Sequence, residues 1–145
     1  MTVAFHERPF AQRFGAMGDR AEAAFVEMYP KAHRLGLNRP ALNMKQMAAH
    51  LRYTPDFMLE DGAYEVMGFS SRGNNCIKLK LEKLTSLLAW DLVVGVNLWV
   101  QDSSTSTTWC APIKQWAKAC YARGEMRRFG DNAKPYWELP AEFFP

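Results

Sequence analysis

The chain has 145 residues, a formal net charge of +3, 48% apolar residues and a 13% aromatic share, which suits one folded domain with a single core and excludes a disordered chain. It contains no run of about 18 apolar residues that could span a bilayer, and no basic segment followed by an apolar stretch at its N-terminus, as a secretory signal would require. Three cysteines with no Cys-x-x-Cys pair and no histidine at ligand spacing argue against a disulfide framework or a zinc site, so a soluble cytoplasmic protein is expected, mildly basic enough to accept a polyanionic partner.

Residues 1–16 mix Arg8, Pro9 and Arg13 with Phe5, Phe10 and Phe14 and read as an N-terminal arm. A helix is expected from Asp19 as N-cap, with Glu22 three residues on completing a capping box and Ala21, Ala24, Phe25 and Met28 on one face. It should stop by Tyr29, because the residue before Pro30 avoids the α region. Residues 30–50 are loop-like, enclosing a short helix or strand near 44–51. Arg34, Arg39, Lys45, His50 and Arg52 make this part basic, either as a phosphate-contacting surface or as ordinary solvated charge.

The most informative stretch runs from Pro55 to Gly68. Two aromatic and aliphatic runs flank Asp61-Gly62, a dipeptide that favours a tight hairpin turn because both turn positions need φ > 0. With those two residues as the loop, Met58 faces Glu65 and Asp56 faces Met67. Asp56, Met58, Glu65 and Met67 then share one face, while Phe57, Leu59, Tyr64 and Val66 build a core on the other. Two carboxylates converge at roughly 7 Å or less between Cβ atoms, a span that divalent cations can bridge with oxygen ligands.

The polar loop 70–75 follows as a solvent loop or a flap facing a polyanionic partner. A helical stripe of Ile77, Leu81, Leu84, Leu87 and Leu88 predicts a helix over 77–90. Lys80 falls inside that stripe, where its ammonium must either snorkel out or find an anion; Lys78 is the fallback if the first turn is extended. Residues 93–100 read as a buried strand and 108–111 as an edge strand. A helix follows over 113–121 with Ile113, Ala117 and Cys120 inward, fraying at Gly124. The tail, 125–145, shows no regular pattern, and its aromatics are expected to fold back over the core or, for Phe143 and Phe144, to make a subunit contact.

Pro55-Asp56, followed by Glu65-Val66-Met67 on the partner strand, resembles the PD-(D/E)xK nuclease superfamily, with Met67 standing where that motif has lysine. The order of Glu22 on an upstream helix, the hairpin, a lysine-rich helix and a hydrophobic strand extends the resemblance over roughly residues 15–111, most like short resolvase-like or endonuclease-like members of phages and bacteria. The resemblance implies an α/β (α+β) fold with a restriction-endonuclease-like core, a mixed central sheet flanked by helices. It implies that Asp56, Glu65, the Val66 carbonyl and Glu22 hold Mg²⁺ or Mn²⁺, and that Lys80 replaces the motif lysine by migration to the following helix. The implied activity is hydrolysis of DNA phosphodiesters, on duplex or branched substrates such as Holliday junctions, and a homodimer would supply the two sites needed to cut both strands. The alternative is an inactive nuclease fold that binds DNA or serves as a structural or assembly component of a phage particle.

Overall fold

The computed structural model describes residues 17–35, 48–130 and 133–145. The arm 1–16, Arg39 and Lys45 lie outside them. In chain order the elements are α1 (Met17–Met28), β1 (His33–Arg34), α2 (Ala49–Arg52), β2 (Phe57–Leu59), β3 (Gly62–Phe69), β4 (Cys76–Lys80), α3 (Leu81–Val94), β5 (Val96–Asp102), β6 (Thr108–Pro112), α4 (Ile113–Arg123), β7 (Glu125–Arg128) and β8 (Pro135–Pro140), closed by a 3₁₀ turn (Ala141–Phe143). They form a mixed α/β structure. One sheet has the order β1-β2-β3-β5-β6, antiparallel except for the β3–β5 pair; the second has the order β4-β8-β7 and is antiparallel throughout. Among the described residues no helix is long and apolar enough to cross a membrane.

Strand alternation assigns the two faces of the large sheet. Phe57, Tyr64, Val66 and Trp99 pack with Ala21 and Phe25 of α1. Ala63, Phe69, Val96, Leu98 and Val100 face the other way, into the main core with Leu84 and Leu87 of α3, Ile113, Trp116, Ala117 and Cys120 of α4, and Ile77, Leu79 and Leu139 of the small sheet. The helix α3 is the crossover that lets β5 return parallel to β3.

Several expectations shift. The helix already includes Met17, so Asp19 lies inside it and cannot be its N-cap; the helix does stop at Met28. The segment expected as one helix over 77–90 divides into β4 and α3, because Ile77 and Leu79 alternate with exposed Lys78 and Lys80 and bury against β8. Val93 and Val94 end α3, and Gly95, at φ 69°, turns the chain into β5. The tail is ordered: β7 and β8 build the small sheet, and Phe144 packs its ring against Phe69, Trp109 and Trp116.

The hairpin register also differs. Phe57 pairs with Tyr64, Met58 with Ala63 and Leu59 with Gly62, so Glu60 and Asp61 form the loop. Gly62 is needed as the first residue of the strand: it sits at φ +143°, and a Cβ there would come 2.8 Å from the Gly95 carbonyl oxygen, which accepts the Ala63 N–H at 2.9 Å. Asp61 secures the loop by accepting the Tyr64 hydroxyl proton at 2.7 Å. Each partner has moved by two residues, an even number, so the expected division of side chains between faces survives.

Candidate functional site

Asp56 stands immediately before β2. Its backbone carbonyl accepts Leu35 N–H at 2.8 Å, and its Oδ2 accepts Val66 N–H at 2.9 Å. The carboxylate thus continues the β2–β3 ladder past the end of β2, and one further step in that register sets Asp56 across from Glu65. In an extended strand the N–H and C=O of one residue point to the same edge. The Val66 carbonyl is therefore directed toward the edge that Asp56 occupies.

Glu65 is 4% exposed, on the face of β3 that looks toward α3. Burial, then the negative charge of Asp56, pushes its carboxyl well above the ordinary range, against the opposing pull of Lys83. Lys83, in the first turn of α3, brings Nζ to 3.7 Å from Glu65 Oε2 with its own side chain 22% exposed. Burial works to lower the Lys83 pKa, but Glu65 and Asp56 outweigh it and raise it, so the group is held as an ammonium. Among the described residues Glu65 Oε2 has no hydrogen-bond partner, and an orphaned buried carboxylate oxygen is costly unless something else satisfies it.

Glu22 reaches toward the same place from α1. It pairs with Arg34 at 3.3 Å, and its pKa is raised by burial and then by the charge of Asp56, with Arg34 and Lys83 opposing. Asp56 and Glu65 thus lie side by side at the hairpin with the Val66 carbonyl at their edge, and Glu22 approaches from α1 closely enough for its charge to act on them. Lys80 is elsewhere: it is the exposed last residue of β4, directly before α3. The lysine acting on Glu65 is Lys83, three residues on. Local sequence carried no signal for it, since the face Lys83 presents depends on the helix starting at Leu81, a boundary set by the pairing of β4 with β8. Met67 is half-buried against the main core.

A second cluster braces this one. Glu82 receives Arg52 at 2.7 Å and Lys134 at 2.9 Å, tying α2 and the start of β8 to the first turn of α3. The Arg52 guanidinium also lies over the Tyr53 ring, 4.9 Å from its centroid. Nothing in the sequence pattern marked Glu82, because its partners are 30 and 52 residues away.

Among the described residues no three His, Cys, Asp or Glu side chains are grouped so as to hold a metal ion by themselves. Adjoining carboxylates are nevertheless the donor type that a hard cation takes, since Mg²⁺ retains several waters and uses one or two protein carboxylates plus substrate phosphate. The buried, unsatisfied Glu65 oxygen and the Val66 carbonyl edge fit that requirement. No protein-family model matches this chain, and comparison with curated proteins and with solved structures returns no match.

Proposed function

We propose that this chain is a Mg²⁺- or Mn²⁺-dependent DNA endonuclease of the PD-(D/E)xK kind, with a restriction-endonuclease-like core and with Lys83 in the role of the missing motif lysine. One observation carries the reading: an ammonium 3.7 Å from a buried carboxylate that adjoins a second acid across a hairpin. The order α1, antiparallel β1-β2-β3, α3 and parallel β5 supports it as well.

Asp56, Glu65 and the Val66 carbonyl would hold the cation, with Glu22 near enough to act on it electrostatically. When bound, the ion supplies Lewis-acid activation of water and of the scissile phosphate. The chain's own contribution is positioning and charge. Asp56 is fixed by the Val66 N–H and so holds its remaining lone pairs in one orientation. Lys83 stays charged because two acids surround it, which suits it to offset negative charge developing on the phosphate and unsuits it as a proton acceptor. A preorganised donor of this type contributes about 3–4 kcal/mol to a transition state.

The competing reading, an inactive nuclease fold that binds DNA or serves in a phage particle, draws on Met67 at the motif position. Two measurements decide. Purified protein is incubated with Mn²⁺ and supercoiled, branched and single-stranded DNA, and Mn²⁺ binding is followed by calorimetry with wild type and Glu65→Gln. Cleavage and Mn²⁺ binding that both disappear in Glu65→Gln are expected; wild-type protein that binds no Mn²⁺ and cuts nothing would sink the enzyme.

A further inference from the structure

The small sheet presents a surface that neither the core nor the acid cluster uses. By alternation, Cys76, Lys78 and Lys80 of β4, Tyr136 and Glu138 of β8, and Glu125 and Arg127 of β7 share its outer face. Tyr136 is only 5% exposed although it points outward, because Phe129, just past β7, stacks on it at 4.4 Å and 25°. Phe129 itself is 64% exposed, so one ring face is occupied and much of the rest is open. The stack covers Tyr136 but leaves most of the Phe129 ring as an open aromatic surface in water.

The charges around it are unequal. Arg127 is neutralised by Glu125 and Glu138. Lys78 makes no ion pair among the described residues, and its ammonium lies 5.4 Å from the Phe129 centroid and 5.9 Å from that of Tyr136. Arg128, at the edge, donates to the Ala133 carbonyl at 2.9 Å and likewise has no carboxylate partner among the described residues. Lys78, without an ion pair among the described residues, therefore borders an open aromatic ring, while Arg128 lies at the edge of the same small sheet on its other face. The strand that carries Lys78 runs straight into α3, so Lys78 and Lys83 are at most about 18 Å apart along the chain.

We propose that this face binds single-stranded DNA, one unpaired base stacking on the open face of Phe129 while an adjacent phosphate meets Lys78. Stacking tolerates any base, and the cation meets the backbone, which is the combination single-strand binders use. The inference rests on the reading of the chain as acting on DNA and narrows its substrate to one with an unpaired segment beside the site, such as a branch or flap.

The test is fluorescence anisotropy in EDTA, so that neither metal nor cleavage enters. The probes are a labelled oligo(dT) of roughly 12 nucleotides and a blunt duplex of the same length. Wild type is expected to prefer the single strand. Phe129→Ala should weaken that binding about 5- to 100-fold and leave duplex affinity within about twofold, while Phe129→Trp retains it. Lys78→Met should reduce the slope of log affinity against log salt by about 0.7. Circular dichroism should be unchanged in all three variants, because Phe129 and Lys78 are both exposed, and Phe129→Ala should lower Tm only by the few degrees that loss of its stack on Tyr136 costs. Preference for duplex, no binding to either probe, or a Phe129→Ala variant that binds oligo(dT) like wild type would each overturn the proposal. Failure of catalysis is distinguishable: a protein that cuts nothing yet shows this pattern keeps the surface and loses the enzyme.

Discussion

Lys83 Nζ lies 3.7 Å from Glu65 Oε2, close enough for strong attraction in a buried site but too long for a hydrogen bond. The pair is therefore incomplete. Lys83→Met should lower the rate of Mn²⁺-dependent DNA cleavage about 10²- to 10³-fold while Kd for DNA stays within a few-fold. Lys80→Met, at an exposed strand end, should leave the rate nearly unchanged. Single-turnover rates for the two variants check this, and a reversed order would return the role to Lys80.

Glu65 should make the metal-free protein less stable as pH rises. Its carboxyl is raised above the ordinary value of 4.5, so the native state holds the proton more tightly than the unfolded chain does. The stabilisation from that proton is complete below the unfolded value and disappears as pH climbs through the raised native one. Denaturant titrations from pH 4.5 upward should show this decline, Glu65→Gln should flatten it, and added Mn²⁺ should reverse it in wild type by binding only the native site.

Asp102 should act at the other end of the scale. It is buried and accepts Ser71 N–H at 3.0 Å, Ser104 N–H at 2.9 Å and the Thr105 hydroxyl at 2.8 Å. Burial works to raise its pKa, but these donors prevail and hold it well below the ordinary 3.8. Its contribution is present above 3.8 and is lost as pH falls. Asp102→Ala, which leaves three donors without their acceptor, should cost about 2–4 kcal/mol, measured by chemical denaturation at neutral pH.

Gly62→Ala should destabilise the protein by about 1–3 kcal/mol, because the new Cβ would sit 2.8 Å from a backbone oxygen at a φ of +143°. Gly95→Ala meets no atom within 4 Å and pays only for its backbone conformation, φ 69° and ψ 122°, with no added clash. Thermal unfolding of the two variants should rank them in that order.

Local rules were sufficient wherever neighbours in sequence decide the outcome. The existence of the hairpin, its apolar and acidic faces, the end of α1 before Pro30, and the inward positions Ile113, Ala117 and Cys120 of α4 all follow from period and proline sterics, although the turn itself falls at Glu60-Asp61 and not at Asp61-Gly62. Asp56 and Glu65 could be set on one face from sequence because alternation at period two survives an even shift of register, while their direct opposition came from the observed register.

Tertiary contacts decided the rest. Gly62 left the turn for the strand, where it packs against the Gly95 carbonyl oxygen, 33 residues on, at a distance that excludes a Cβ. Ile77 and Leu79 became a strand because β8 offered both a ladder and a core for them; alone, their spacing also satisfies a helix. That single boundary, at Leu81, rotates Lys83 toward Glu65 and leaves Lys80 in solvent. The lysine beside the acids is thus set by pairing with a strand more than 50 residues distant, a long-range contact that no local period encodes.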